Sequence, residues 1–546
     1  MLERRITYDG GRTPLKTSLF VLVCLAWILP GLVGHDPWKT DEAIVFGAVF
    51  DMLRTGDWVV FRIAGEPYLD KAPLYLWTAG LTAKAFGALL PLHDAARLAS
   101  GVFMAATLGL VSATSRELLG ERAMRVAVLL LLGCLGLIIR AHEMSTDLAG
   151  FTGIALGIYG LALARRRERL GGALLGLGMG LAFLGDGLLP LAMLVALTAA
   201  LPLAPTAWRK PAYAWTVLFA LLVAAPLVAA WPVILAARSP FWLQHWFDVQ
   251  GMSRATNPFA GSFADLVYYA RILPWYAWPA WPLAAWSVWR SRRMLDTRTA
   301  IQLPLVAVVV FFVMISLFGD AREVNAMPLL LPLVLLGVAE LDSLPRGGAS
   351  ALDWFGMMTF FLVAAMVWIG WIAVLTGRPE GALAWIRSEV PGYRYPFSFI
   401  AFALALLLTL IWVAVVARSL RSTRRALVNW TAGMTMAWML VMTLGVPLVD
   451  QARSYRAVSR KLVEAMPPDF HCVAAKNLGD PQRALLDYFI GLRAVRFDSP
   501  AAARCGALLV QAAADRDPPP PPGWRQRWRG SRPGDRHEAF ILYERL

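Results

Sequence analysis

The sequence predicts a polytopic α-helical membrane protein that ends in a small α/β domain outside the membrane. Of its 546 residues, 58% are hydrophobic and 16% are charged, whereas soluble domains carry about 25% charged residues. Apolar runs of about twenty residues, long enough to cross a bilayer as a helix, recur along most of the chain. After residue 449 these runs shorten and charges become frequent. We therefore expect a membrane domain over residues 1–449 and a soluble domain over 450–546.

Arginine clusters orient the predicted spans, because cytoplasmic loops are rich in Lys and Arg. The net charge of +15 lies largely between apolar runs, so it indicates membrane orientation rather than nucleic-acid binding. Run lengths and cluster positions together predict about thirteen transmembrane helices, with a cytoplasmic N-terminus and an outer C-terminus. The predicted spans are 16–34, 96–113, 123–141, the run between Asp147 and Arg165, 170–186, 188–204, 213–236, 270–290, 301–319, 325–342, 354–376, 396–418 and 427–448. Residues 72–90 would be re-entrant or lie at the membrane surface.

The first outer loop, residues 35–71, is unusually rich in polar residues for a segment between apolar runs. From Asp41 onward the apolar residues recur at helical spacing, which predicts an amphipathic helix on the membrane surface. Thr40 or Asp41 would cap this helix, and the sequence GDW at 56–58 would end it. Asp41 would then be a carboxylate at the lipid boundary, where desolvation is costly unless partners are present.

The stretch TDEA…LRTGDWVVFRIAGEPYLDKAPLYLW resembles the first outer loop of the lipid-linked-sugar glycosyltransferases of the GT-C fold. It is most similar to the undecaprenyl-phosphate aminoarabinose transferases that modify lipid A, which are related to the protein O-mannosyltransferases. Their pattern there is D-E-x-R-Y, G-D-W, G-x-x-Y and [ED]-K-P-P-L-x-Y-W. The similarity continues more loosely through RAHEMSTDLAGF, AFLGDGLLPLAM and AREVNAMPLLLPL. The resemblance implies a multi-pass protein of the bacterial inner membrane, with its active site and its C-terminal domain on the periplasmic side.

The motif matches, together with other polar residues on the predicted outer face, give nine candidate site residues. Asp41 and Asp147 match the acidic residues expected to be catalytic. Lys71 and Arg322 are expected to bind the donor phosphate. The remaining candidates, expected to bind substrate, are Glu42, Asp70, Asp186, Arg254 and Asn325.

This sequence departs from the family pattern at three places that the resemblance puts on the substrate face. Ile44–Val45 replaces Arg-Tyr, Asp186–Gly187 replaces Lys-Gly, and Asn325 stands where the relatives have tyrosine. The fold and the reaction type do not depend on these positions. The identities of the sugar and of the acceptor do.

The expected reaction needs few catalytic groups, because a polyprenyl-phosphate sugar already carries a good leaving group. A single displacement inverts the anomeric centre and needs at most one base, plus cations that stabilise the departing phosphate. Asp41 would be the base or would orient the acceptor, while Lys71 and Arg322 would hold the phosphate. We expect no cofactor other than the donor substrate, no nucleic-acid partner and a monomer in contact with membrane lipids; a divalent metal remains an alternative.

Each candidate residue can also be explained by a purely structural role. Asp41 and Asp147 could be helix caps, Lys71 a snorkelling lysine and Arg322 an interfacial anchor. His35 and His142 suggest a metal, but His35 has no closely spaced further ligand beyond Asp36. Alternative functions are transfer to a protein or a polysaccharide, a flippase for lipid-linked sugars, and an inactive scaffold. Few charges interrupt the spans, which argues against a coupled transporter.

The C-terminal segment should form a mixed α/β domain. HCVAAKNL, GALLVQAA and EAFILYERL are typical of strands, whereas SYRAVSRKLVEAM and DPQRALLDYFIGL are typical of helices. An oxidising compartment would allow Cys472 and Cys505 to form a disulfide. We expect this domain to shield the site or to touch the acceptor.

Overall fold

The computed structural model describes residues 17–203, 208–248, 262–295, 297–393, 395–419, 423–467, 472–515 and 518–546. Its α-helices are α1 (Thr17–Ile28), α2 (Asp41–Thr55), α3 (Pro73–Phe86), α4 (Leu92–Leu119), α5 (Glu121–Leu132), α6 (Asp147–Ala164), α7 (Glu168–Asp186), α8 (Leu188–Ala200), α9 (Ala212–Arg238), α10 (Pro240–Phe247), α11 (Ser262–Tyr276), α12 (Ala280–Ser291), α13 (Thr299–Phe318), α14 (Leu330–Ala339), α15 (Arg346–Thr376), α16 (Glu380–Glu389), α17 (Phe399–Arg418), α18 (Thr423–Leu440), α19 (Val446–Arg453), α20 (Arg456–Ala465) and α21 (Asp480–Ile490). The protein is thus mostly helical, as predicted.

Within the described ranges, seven helices are long and apolar enough to cross a membrane. They are Leu92–Leu119, Asp147–Ala164, Ala212–Arg238, Thr299–Phe318, Arg346–Thr376, Phe399–Arg418 and the helical stretch Arg424–Ala465. Other predicted spans are shorter helices; α5 ends at Leu132 because the chain turns into a 3-10 helix at Leu135–Leu137 instead of continuing to residue 141. The multi-pass architecture is confirmed, and the number thirteen stays a prediction.

Helices α6 and α7 pack against each other without intervening side chains. A Cβ atom added at Gly153 would lie 2.3 Å from the backbone nitrogen of Ala182, and one at Gly178 would lie 2.4 Å from the nitrogen of Gly157. Small residues allow such close approach of helices in a membrane. Gly150 makes the same kind of contact, since its added Cβ would lie 2.7 Å from the Asp186 Cβ. The packing therefore fixes the ends of α6 and α7 that carry Asp147 and Asp186.

Helix α2 begins at Asp41 and ends at Gly56, where a φ of 72° provides the left-handed cap that glycine accepts readily. The predicted helix is confirmed, but its position on the membrane surface is corrected by the structure. Most of its residues are buried, and a Cβ atom at Gly47 would lie 2.5 Å from the Cβ of Ala484 in α21. Helix α2 lies between the membrane helices and the C-terminal segment. Its apolar residues, which suggested lipid contact, are therefore covered by protein.

The C-terminal segment contains a five-stranded sheet with the strand order β4-β3-β5-β7-β6. A separate short hairpin in the first outer loop forms β1 and β2, and the sheet contains β3 to β7; the bounds are β1 (Arg62–Ile63), β2 (Glu66–Pro67), β3 (Val473–Lys476), β4 (Val495–Arg496), β5 (Ala507–Ala513), β6 (Trp524–Gly530) and β7 (Glu538–Arg545). Strand β3 pairs in parallel with β4 and β5, whereas β7 pairs antiparallel with β5 and β6. Cys472 and Cys505 form a disulfide with Cα atoms 4.8 Å apart, as hypothesised.

Candidate active site

Three of the predicted residues meet at the start of α2. The Asp41 carboxylate lies 3.0 Å from Nη2 of Arg322 and 3.8 Å from Nζ of Lys71, measured from its two different oxygens. Asp41 occupies the first turn of α2, Lys71 lies just before α3, and Arg322 precedes a 3-10 helix at Glu323–Leu329. The carboxylate is 26% exposed, so water or a substrate can reach it. One carboxylate between two cations is an arrangement that can exchange with a phosphate.

Asp147, Asp186 and Asn325 form a second part of the same region. All three line one small cavity at the ends of α6 and α7. Asp147 is buried and accepts a short hydrogen bond from the Ser145 hydroxyl. The amide of Asn325 donates to the carbonyl oxygen of Asp320 at 2.9 Å. Because Asn325 lies three residues beyond Arg322, the cavity adjoins the Asp41 cluster through one short segment of chain.

Asp70 precedes Lys71 but has different partners. Burial raises the pKa of its carboxyl above the usual range, although the Tyr68 hydroxyl hydrogen-bonds to it and the charges of His245 and Lys71 oppose the shift. Tyr68 shows the matching effect, since its own burial and the nearby carboxylate both raise its pKa. Asp70 thus interacts with Tyr68 and with the charges of His245 in α10 and of Lys71.

Glu42 does not join the Asp41 cluster, and its role as a substrate ligand stays a prediction. Its carboxylate is 3% exposed, accepts a 2.7 Å hydrogen bond from Nε of Arg97, and accepts another from the backbone nitrogen of Trp38 at 2.9 Å. Burial raises the pKa of Glu42, but the charges of Arg97 and His35 and the hydrogen bonds from Trp38 and Arg97 together outweigh it, so the pKa falls below the usual range. The physical reason is geometric: consecutive helix residues are rotated by about 100°, so Asp41 and Glu42 face different surroundings.

The predicted contribution of Arg254 lies outside the described residues. Two histidines that suggested a metal are hydrogen-bonded to the backbone: His35 to the carbonyl oxygens of Asp36 and Gly31, and His142 to those of Ile138 and Trp27. In the parts of the chain that the structure describes, no three His, Cys, Asp or Glu residues group together as metal ligands would.

The structure adds three charged residues to the site that sequence reasoning missed. Nη1 of Arg140 lies 3.1 Å from the Glu143 carboxylate, and Nη2 lies 4.0 Å from Glu323, which follows Arg322. Burial raises the pKa of Glu143 to about 7, Arg140 lowers it, and the charges of Glu42 and Asp41 raise it. The available signal was the i, i+3 spacing of Arg140 and Glu143, just ahead of Asp147.

The chain is similar to several known proteins. The family model described as dolichyl-phosphate-mannose-protein mannosyltransferase matches residues 70–231. An undecaprenyl phosphate-alpha-4-amino-4-deoxy-L-arabinose arabinosyl transferase of Pseudomonas aeruginosa (strain LESB58) is 29% identical over 445 residues, covering 78% of this chain and 75% of the relative. A transferase with the same description from Serratia proteamaculans is 26% identical and covers 59% of this chain and 58% of its own length.

Two solved structures share the fold. ArnT from Cupriavidus metallidurans bound to undecaprenyl phosphate aligns with a TM-score of 0.64 at 17% identity, covering 96% of this chain and 97% of that one. The oligosaccharyltransferase AglB from Archaeoglobus fulgidus aligns with a TM-score of 0.50 at 10% identity, covering 91% and 70%. The resemblance seen in the first outer loop is confirmed: the chain is similar in sequence to the undecaprenyl-phosphate aminoarabinose transferases and shares the multi-pass fold of ArnT.

Proposed function

We propose that the chain transfers a sugar, with inversion, from a polyprenyl-phosphate donor to an envelope acceptor at the periplasmic face of the bacterial inner membrane. The observation that carries the proposal is the contact of the Asp41 carboxylate with both Lys71 and Arg322. The named relatives suggest 4-amino-4-deoxy-L-arabinose as the sugar and undecaprenyl phosphate as the lipid carrier. Lipid A is the acceptor that this resemblance favours.

In the proposed mechanism, the donor phosphate takes the place that the Asp41 carboxylate occupies between the two cations. The acceptor oxygen attacks the anomeric carbon, and the bond from that carbon to the phosphate oxygen breaks. The electron pair of that bond goes to the phosphate, which Lys71 and Arg322 stabilise as its charge grows. Asp41, released by the exchange, takes the proton of a hydroxyl acceptor or orients an anionic one.

The cavity residues have proposed roles at the sugar. Asp147, which accepts a hydrogen bond from Ser145, is the second acidic residue proposed to be catalytic and would contact the sugar ring. Asp186 and Asn325 line the same cavity and would select among sugars, because both differ from the relatives' residues. Asp70 would both support the loop that carries Lys71 and contact the substrate. Arg254 would also contact the substrate. No cofactor is required by this scheme.

The proposed topology places the N-terminus in the cytoplasm and residues 450–546 in the periplasm, beyond a membrane domain of residues 1–449 that works as a monomer among membrane lipids. The ends of several described helices support a common outer face, because Asp41, Lys71 and Arg322 are separated along the chain but in contact. Cysteine labelling from intact cells at position 41 and at position 147 should give the same accessibility. Opposite accessibility would contradict the topology.

The central experiment uses the purified protein, a polyprenyl-phosphate sugar and lipid A, and follows sugar transfer and released lipid phosphate. We expect Asp41→Asn and Lys71→Ala to abolish transfer. Asp57→Asn is the matched control, since this carboxylate lies in the same loop and accepts hydrogen bonds from the backbone of Val59 and Val60. Unchanged turnover in both site variants would remove the assignment, and lipid transport without sugar transfer would favour the flippase alternative.

A further inference from the structure

A basic pocket lies beside the start of α2, on the side of the C-terminal sheet. It has a volume of about 590 Å³ and brings together four separate segments of the chain. Its lining residues are Lys39, Thr40, Glu389, Ala452, Arg453 and the β6–β7 turn at 532–537. Volumes of about 300–1,000 Å³ are typical of sites for small ligands and headgroups.

The turn at 532–537 is held in place by contacts with two neighbouring elements. Arg532 donates to the Asp535 carboxylate and to the backbone oxygen of Arg453, and its guanidinium lies 4.6 Å from the Tyr455 ring centroid. Gly534 has a φ of +73°, and an added Cβ atom there would lie 1.8 Å from the carbonyl oxygen of Glu389. A side chain is therefore excluded at 534, and the turn closes the pocket against the end of α16.

The cationic side chains in the pocket differ in whether a carboxylate is paired with them. Lys39 is 2.9 Å from the Glu538 carboxylate, and Arg532 is paired with Asp535. Arg453 and Arg536 are exposed, and across the described ranges neither lies within 4.0 Å of a carboxylate. Their other contacts leave donors available.

Arg453 lies over the Trp38 ring, with 5.5 Å to the centroid, and Arg536 donates one hydrogen bond to the backbone oxygen of Ser388. Each guanidinium has five N–H donors in a planar fork that matches the oxygens of a phosphate. Two such groups without carboxylate partners, in a pocket of this size, favour an anionic ligand with several oxygens.

The pocket also lies next to the reacting centre. Lys39 and Thr40 line it, and Thr40 directly precedes Asp41 in the chain. Lys71 and Arg322 contact Asp41 and would be occupied by the donor phosphate. A second anion in the basic pocket would therefore reach Asp41 from a group of cations that the donor does not use.

We propose that this pocket binds a phosphate group of the acceptor lipid, with Arg453 and Arg536 as its principal ligands. The inference rests on the proposed function, since it names the acceptor class for the same site. It explains why the C-terminal segment contributes to the wall of a pocket that begins one residue before Asp41. The acceptor phosphate, rather than the membrane surface at large, would be positioned by this segment.

The test measures binding separately from turnover. The full-length protein in detergent, without donor, is titrated with diphosphoryl lipid A and with lipid A from which both phosphates have been removed. We expect Arg453→Gln/Arg536→Gln to weaken binding of the diphosphoryl lipid by about tenfold or more, with little change for the dephosphorylated lipid. The control is Arg525→Gln/Arg527→Gln, a pair of β6 arginines that contact Glu544 instead.

The possible outcomes distinguish phosphate binding in the pocket from sugar transfer. Equal binding of the diphosphoryl lipid by the wild type and by Arg453→Gln/Arg536→Gln would overturn the proposal, as would absence of binding to the wild type. Displacement by millimolar inorganic phosphate alone would identify a free-phosphate site and also overturn it. Phosphate-dependent lipid binding that needs both arginines, in a protein that transfers no sugar from any donor, would support the pocket while contradicting the proposed function.

Discussion

Replacement of Glu42 or Arg97 should reduce stability rather than substrate affinity. The Arg97 side chain is 0% exposed and that of Glu42 is 3% exposed, and Arg97 holds both Glu42 and Asp94 at 2.7 Å. The same guanidinium also donates to the backbone oxygens of Leu32 and His35. This network ties α4 to the segment that leads into α2, so it fixes the helix that begins with Asp41.

The two substitutions should differ in size for a physical reason. Arg97→Met leaves two buried carboxylates without their cation, and breaking a buried pair in this way costs about 3–5 kcal/mol. Glu42→Gln keeps an oxygen that can accept from Trp38 and leaves Arg97 paired with Asp94. It removes one charge-assisted hydrogen bond, which contributes about 1.5–3 kcal/mol.

Thermal unfolding of the purified protein checks the expected order, with the wild type most stable, Glu42→Gln intermediate and Arg97→Met least stable. Glu380→Gln, at an exposed position that begins α16, should leave the unfolding temperature unchanged. Sugar-transfer kinetics complete the experiment. A Glu42→Gln variant with wild-type stability and a greatly raised KM for the donor would refute the structural role and restore Glu42 as a substrate ligand.

The remaining predictions concern the site, its pH dependence, the helix packing and the disulfide. Arg322→Ala should lower kcat by about a hundredfold or more, as removal of a transition-state donor does, whereas Arg322→Lys should retain more activity in the same transfer assay. Burial raises the pKa of Glu143 to about 7, above its unfolded value, so its contribution to stability is present at low pH and is lost as pH rises through that pKa. Glu143→Gln should therefore gain on the wild type by on the order of 3 kcal/mol at high pH and show no gain below the unfolded pKa, by thermal unfolding at both ends. Gly153→Val should separate α6 from α7 and abolish transfer together with a lower unfolding temperature, an outcome not expected from Gly109→Val, where an added Cβ meets no atom within 4 Å. Cys505→Ser should remove the mobility difference between reduced and non-reduced protein on a gel.

The first outer loop illustrates how much the sequence could predict. Asp41 and Lys71 were identified because both lie in one short motif, and helix α2 followed from the spacing of apolar residues. Arg322 lies 281 residues from Asp41, so only similarity to known proteins could place them together. The ion pair confirms their proximity and leaves their catalytic roles to experiment.

Other features could not be read from the sequence for definite physical reasons. An amphipathic pattern shows that one face of α2 is covered, but it does not say whether lipid or another helix covers it. Glu42 was grouped with Asp41 because they are neighbours in the chain, whereas their side chains point in different directions. The partner of Glu42 is Arg97, which the apolar run around it concealed.

The contact between α2 and α21 has a mechanical consequence. Gly47 packs closely against Ala484. Arg54 donates a hydrogen bond to Asp487, which lies 433 residues further along the chain. Helix α2 is therefore held by α21 both at its middle and at its C-terminal end, so α2 cannot tilt independently of α21. We therefore expect a displacement of α21 to shift Asp41 at the start of α2, which couples the C-terminal segment to the candidate site.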